Sequence, residues 1–170
     1  MATHEKAREL VAAHREFWAG NCDCREGKGR CARSRIDVCL MFADIPSSGS
    51  GKRRINKKAV EAILAEATEK HLVARPFRDE TRTKVDGVCF CCDDCCYYFQ
   101  KHEEERQRGR MEEATDFAAC THCGACVDVC HFGARRMEDD KLRVETDKCY
   151  GCGLCRDVCP EDCIAMSPRG

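Results

Sequence analysis

The chain has few aromatic residues and no long apolar run. Phe, Trp and Tyr make up 6% of its 170 residues, and its mean hydropathy is −0.55. Its apolar stretches fall well short of the roughly twenty residues that a membrane-spanning helix needs. The first residues are charged and lack the apolar core of a signal peptide. We therefore expect a cytoplasmic chain with no membrane span, whose apolar core is too small to hold the fold by itself.

Cysteine, by contrast, is abundant. The chain has 18 cysteines, a density at which metal sites or disulfides replace a large apolar core as the main support of a fold. Disulfides need an oxidising compartment, and thiols in the cytoplasm stay reduced. The composition therefore favours metal binding over a disulfide framework.

Eight cysteines form the pattern C-x2-C-x2-C-x3-C, which occurs twice at an offset of 29 residues. Three thiolates within seven residues suit a loop wrapped around an iron–sulfur cube, whereas zinc usually takes cysteines as separated pairs. In bacterial two-cluster proteins the fourth cysteine of each run, which we expect to open a helix, ligates the other cluster. We predict two 4Fe–4S clusters, one held by Cys120, Cys123, Cys126 and Cys159, the other by Cys149, Cys152, Cys155 and Cys130.

Nine further cysteines lie in two N-terminal groups. Adjacent cysteines diverge in any regular backbone, so the second group cannot serve a single metal. Four of the nine could bind a third 4Fe–4S cluster and four others a zinc ion, with one left over; a zinc-only domain and a redox-sensing pair of adjacent thiols stay open. The nine are Cys22, Cys24, Cys31 and Cys39, then Cys89, Cys91, Cys92, Cys95 and Cys96.

Apolar periodicity predicts two helices and a hairpin in the N-terminal half. The first helix covers residues 5–19, closes at Gly20 and places Trp18 in the core. The second covers about 57–70 and is capped by Asn56. The hairpin pairs two short strands around a polar turn at 78–83. We divide the chain into a cysteine-rich metal or cluster domain (1–96), a charged helical linker (97–114) and a two-cluster domain (115–170).

Residues 115–168 resemble the bacterial, clostridial-type ferredoxins with two 4Fe–4S clusters. The resemblance is carried by Cys-Thr-His-Cys-Gly-Ala-Cys-Val-Asp-Val-Cys and its repeat Cys-Tyr-Gly-Cys-Gly-Leu-Cys-Arg-Asp-Val-Cys. It implies a compact module with pseudo-two-fold symmetry. His131 stands where the family has proline, and Cys163 where it has a small residue. We expect a structural role for His131, a buried thiol that is not a ligand at Cys163, and a solvent-facing position for His122.

Residues 20–100 are similar to N-terminal cysteine-rich regions of iron–sulfur proteins from anaerobes. The similarity rests on a C-x-C-Arg stretch, here ending in Cys24-Arg25, followed by the C-x-C-C-x2-C-C stretch of Cys89–Cys96. The helices and hairpin predicted from periodicity, together with the ferredoxin resemblance, imply an α+β chain, in which a helical cysteine-rich domain with a small β-hairpin precedes a ferredoxin-like module.

The charge is unevenly distributed and no substrate motif is found. Residues 1–88 carry a net charge of +5 and residues 89–170 a net charge of −6, a polarity that suits docking to a partner. No basic stripe with interleaved aromatics is present, so we expect no nucleic-acid binding. We also find no nucleophile–base arrangement, so the clusters carry the chemistry and an active site of the chain's own is not expected.

The function that follows is that of an electron-transfer subunit in a hetero-oligomer. It would relay electrons between a soluble donor and a catalytic oxidoreductase subunit. By resemblance, the partner would be a tungsten or molybdenum enzyme of the aldehyde oxidoreductase kind, or a dearomatising aromatic acyl-CoA reductase. The alternatives are a free multi-cluster ferredoxin and a regulatory protein that senses redox state or metal.

Overall fold

The computed structural model describes residues 1–78, 81, 83–100 and 107–170 and confirms the α+β class. The chain divides into two compact units. One comprises His4–Arg106, and the other joins Met1–Thr3 to Gln107–Gly170. Among the described residues, we find no helix with the length and apolar character to cross a membrane.

The His4–Arg106 unit is built around a five-stranded antiparallel sheet. Its strands are β1 (Phe17–Gly20), β2 (Cys39–Met41), β3 (Arg53–Ile55), β4 (Val73–Arg78) and β5 (Val85–Cys91). They lie in the order β3-β1-β2-β5-β4. The predicted hairpin is confirmed as the pair β4–β5, and three further strands that were not predicted extend it to a five-stranded sheet. The three additional strands have only three or four residues each, too few to show a period of two in the sequence.

The first predicted helix is correct only in its first part. Helix α1 (His4–Ala12) ends seven residues before the predicted end at residue 19, and the chain then forms strand β1. Because alternate strand residues face opposite sides, Phe17 is buried at 2% exposure while Trp18 is only half-buried. The Arg54 guanidinium lies 5.8 Å from the centroid of the Trp18 ring. Phe17, and not Trp18, is therefore the core anchor.

The second predicted helix is confirmed. Helix α3 (Lys57–Glu69) begins after Asn56, whose Oδ1 accepts a hydrogen bond from the Ala59 N–H at 3.0 Å. Its buried face packs in one apolar core with residues of the sheet, and this core also includes Cys92 and Cys95. Two shorter helices, α2 (Asp23–Lys28) and α4 (Tyr97–Gln100), lie beside the cysteines of this unit.

The second unit contains two small antiparallel sheets. Strand β6 (Met111–Thr115) pairs with β9 (Ile164–Pro168), and β7 (Arg135–Glu138) pairs with β8 (Lys141–Val144). The helical linker expected at 97–114 is thus wrong at its end, where β6 forms. Residues 101–106, the centre of that predicted helix, lie outside the described residues.

The sequence repeat is also a structural repeat. Four-residue helices α5 (Ala125–Asp128) and α6 (Leu154–Asp157) occupy equivalent places in the two copies. Each contains the third cysteine of its run and ends before the fourth, so the expectation that the fourth cysteine opens a helix is wrong. The fourth cysteine closes the turn instead: the Cys130 N–H donates to Val127 O at 3.0 Å.

Candidate metal centres

Glycines with left-handed backbone shape the two ferredoxin-type loops. Gly124 (φ 82°) and Gly153 (φ 78°) precede helices α5 and α6. A residue with a Cβ is strained in this conformation. At Gly153 a Cβ would also lie 2.9 Å from Thr3 Cγ2. These two turns let the chain wrap around a compact centre before each helix begins.

The loops bring eight cysteines to two separate pockets. Each pocket receives three cysteines of one run and the fourth cysteine of the other. That placement suits two cubane clusters, since four thiolates can then converge on each; the assignment of these thiols as ligands stays a prediction. The first pocket is lined by Cys120, Cys123, Cys126 and Cys159, and the second by Cys130, Cys149, Cys152 and Cys155.

Two further residues line the first pocket. Cys163 is buried, as expected, and its Sγ lies 3.5 Å from Cys159 Sγ. His122 is half-buried instead of solvent-facing, because its Nδ1 accepts a hydrogen bond from the Leu142 N–H at 3.1 Å. In this tautomer the ring proton is on Nε2. Beside the second pocket, the rings of Phe132 and Tyr150 stack at 4.4 Å.

A buried arginine that sequence reasoning missed contacts a cysteine of the first pocket and interacts electrostatically with a cysteine of the second. The Arg135 side chain is 1% exposed, and its Nη1 donates to Cys126 Sγ at 3.3 Å. Its Nη2 donates to Thr115 Oγ1 at 2.8 Å and forms an ion pair with Glu113. Burial lowers the pKa of Arg135, but the charge of Cys155 and the hydrogen bond to Cys126 outweigh it, and the net shift is upward. The guanidinium is therefore a fixed positive charge shared by the two sites.

Burial is the main cause of the raised pKa values of two thiols in the second pocket. It raises the pKa of Cys152 to about 12 and that of Cys155 to about 11, although the Arg135 charge opposes the shift at Cys155. A neutral thiol is thus the stable form of these buried groups, and a bound metal stabilises the thiolate. The soft sulfur donors and the nearby positive charge fit an iron–sulfur cluster.

The nine N-terminal cysteines form two groups in the His4–Arg106 unit. The first, which we call the three-cysteine group, contains Cys31, Cys92 and Cys95. The vicinal pairs Cys91/Cys92 and Cys95/Cys96 are each divided between the groups, in line with the expected divergence of adjacent side chains. The division is three and six, not the four, four and one considered from the sequence. The second, the six-cysteine group, contains Cys22, Cys24, Cys39, Cys89, Cys91 and Cys96.

The three-cysteine group surrounds the end of a buried guanidinium. The three Sγ atoms lie 3.5 Å (Cys31–Cys92), 3.3 Å (Cys92–Cys95) and 3.6 Å (Cys95–Cys31) apart. Arg25, which is 1% exposed, lies 3.8 Å from Cys92 Sγ through Nη2. Burial lowers the pKa of Arg25. The hydrogen bond to Cys92 and the charges of the group raise it by more, so the net shift of the pKa is upward.

The six-cysteine group lies next to a second arginine. Cys39 Sγ and Cys89 Sγ are 3.5 Å apart on neighbouring strands, and Arg75 Nη2 donates to Cys89 Sγ at 3.6 Å. The Arg75 guanidinium also lies 4.3 Å from the Tyr98 ring centroid. Hydrogen bonds with Cys22 and Cys96 hold the pKa of Cys24 down at about 2. A thiolate is therefore stabilised in this group.

Comparison with known proteins agrees with the geometry of the second unit. Residues 119–163 match the family model of the 4Fe–4S dicluster domain. No curated protein matches the chain. The chain therefore carries a 4Fe–4S dicluster domain, together with a second set of clustered cysteines that the match does not cover. Iron–sulfur electron transfer is the activity that such a domain suggests.

Proposed function

We propose that this protein is an electron-transfer subunit that relays single electrons to or from a catalytic redox subunit. The observation that carries the proposal is the convergence of eight cysteines on two pockets in one compact unit. The two clusters would exchange their fourth ligands between the sequence runs. Arg135 contacts a cysteine of one site and interacts with the charge of a cysteine of the other.

We place a third 4Fe–4S cluster in the six-cysteine group, held by four of its six thiols. Cys39 Sγ and Cys89 Sγ lie 3.5 Å apart, too close to bind two corners of one cube, so at most one of these two thiols is among the four. A cubane with four thiolates carries a charge of about −2. The Arg75 guanidinium supplies positive charge at Cys89, with a hydrogen bond to its thiol. Three clusters are more than a freely diffusing carrier needs, which favours a relay inside an oxidoreductase complex.

The partner we propose is a pterin-containing tungsten or molybdenum oxidoreductase or an aromatic acyl-CoA reductase. Support comes from the resemblance of residues 20–100 to cysteine-rich regions of anaerobe proteins and from the opposite net charges of the two halves of the chain. Complementary charge speeds association and orients the partners.

Anaerobic purification of the full chain, followed by iron and sulfide analysis and an EPR-monitored redox titration, tests the proposal. We expect about twelve irons and three one-electron reductions. A measured content of about eight irons per chain would refute the proposed third cluster. A tagged chain isolated anaerobically from its native host should co-purify with a pterin-containing subunit. A monomer that donates electrons to many acceptors at full activity would instead indicate a free ferredoxin. The full chain is required because Met1–Thr3 belong to the dicluster unit.

A further inference from the structure

We propose that the three-cysteine group is a mononuclear zinc site, in which Cys31, Cys92 and Cys95 supply three thiolates and a water molecule completes the tetrahedron. The site is separate from all of the cluster sites above, and the proposal does not rest on the electron-transfer function.

The spacing of the sulfurs fits one ion and not a cube. With Zn–S bonds of 2.3 Å, the edge of a tetrahedral ZnS4 unit is about 3.8 Å. The three Sγ–Sγ distances of 3.3–3.6 Å approach this edge length. A cubane binds each thiolate to a different iron, so its four sulfurs lie much further apart. In the dicluster unit, by contrast, the thiols line pockets.

The number of available ligands leaves one coordination position open. Among the described residues, these three are the His, Cys, Asp or Glu side chains whose ligand atoms gather within 4.8 Å of one another. Tetrahedral zinc with three protein ligands takes water as the fourth. Cys31 is half-buried, whereas Cys92 and Cys95 are buried, so Cys31 is on the side from which solvent can reach the ion.

The buried charge next to the group requires an anion. Arg25 donates to Arg35 O at 2.8 Å and to Phe90 O at 3.0 Å, and both acceptors are neutral carbonyls. A buried guanidinium is strongly destabilising unless a negative charge compensates it. Three thiolates around Zn²⁺ carry a net charge of −1, which balances the charge of Arg25.

The backbone around the group is held by ion pairs of two aspartates, one of which, Asp94, also interacts with the Cys31 thiol. Asp94 accepts hydrogen bonds from Lys28 Nζ at 2.8 Å and from the Ala32 N–H at 3.0 Å. Asp93 forms a bidentate pair with Arg33, both N–O distances being 2.7 Å. The two carboxylates lie between Cys92 and Cys95 in the chain and fix the segment that carries Cys31. The site is thus pre-organised for a metal.

Zinc analysis of the full chain, purified anaerobically from cells grown with zinc, tests the site. We expect one zinc per chain in the wild type, at least a tenfold weaker zinc affinity in Cys31→Ser, and one retained zinc in Cys22→Ser. The two variants are matched because Cys22 and Cys31 are both half-buried and belong to different groups. A wild type without zinc, zinc lost from Cys22→Ser but not from Cys31→Ser, or the loss of four irons from Cys31→Ser would overturn the proposal.

Zinc K-edge X-ray absorption of the wild-type chain decides the question even where a variant does not fold. We expect three sulfur neighbours at about 2.3 Å and one oxygen at about 2.0–2.2 Å. A shell of four sulfurs, or of oxygen and nitrogen alone, would refute the proposed ligand set. Because iron does not contribute at the zinc edge, the result is independent of the cluster count and therefore of the electron-transfer proposal.

Discussion

Replacement of Arg135 by glutamine should lower the reduction potential of the clusters. Reduction adds one negative charge to a cluster. The Arg135 guanidinium, which donates a hydrogen bond to Cys126 Sγ at 3.3 Å, stabilises that charge. A unit positive charge about 7 Å from the added electron, at an effective dielectric constant near 20, contributes about 2 kcal/mol. For one electron, 59 mV corresponds to about 1.36 kcal/mol. Charge delocalisation reduces the effect, so we expect a fall of roughly 50–100 mV.

An EPR-monitored redox titration of the full chain measures this shift. The matched control is Arg136→Gln, the adjacent and exposed arginine, which should stay within about 10 mV of the wild type because bulk water screens its charge. Because Arg135→Gln leaves the buried Glu113 without its ion-pair partner, the neutral pair Glu113→Gln/Arg135→Gln separates instability from the electrostatic effect. An unchanged or higher potential in an iron-replete Arg135→Gln variant would refute the argument.

Three further outcomes follow from the same structure. Phe17→Ala should destabilise the His4–Arg106 unit by about 3–5 kcal/mol and Trp18→Ala by much less, as judged by urea unfolding of the metal-loaded chain; equal effects would contradict the packing. Gly153→Ala should lower the thermal midpoint of the dicluster unit more than Gly133→Ala. Both positions have positive φ, but only at Gly153 would the new Cβ meet another side chain. Differential scanning calorimetry compares the two variants, and equal losses of thermal midpoint would show that the Thr3 contact is unimportant. Cluster assembly should release protons from Cys152 and Cys155, whose pKa values of about 12 and 11 keep them protonated at pH 8. Iron affinity should therefore rise with pH up to about 12, and a pH-stat reconstitution without proton release would show that the thiols are already ionised.

The dicluster domain could be predicted from sequence because its candidate ligands are clustered locally. Within each run the first three cysteines lie within seven residues, and a loop can present them without help from the rest of the chain. The turn glycines repeat with the same offset. The tertiary structure added Arg135, since no local pattern distinguishes it from its exposed neighbour Arg136.

In the N-terminal unit the local pattern predicted helix α3 and the β4–β5 hairpin, whose periodicity extends over several residues. It did not predict β1, whose four residues continue an apolar helical pattern and become a strand only by pairing with β2 and β3. Propensity is a weak determinant in so short a segment, and pairing with distant strands decides its conformation.

The grouping of the nine N-terminal cysteines depended on tertiary structure in the same way. Cys31 meets Cys92 across 61 positions of sequence, and Cys39 meets Cys89 across 50. Spacing along the chain carries no information about such contacts. The residue types alone favoured metal binding, because thiolates are soft ligands. The sheet, the turn at Cys92–Cys95 and the buried Arg25 decided which thiols gather, since side-chain direction and buried charge are set only once the chain is folded.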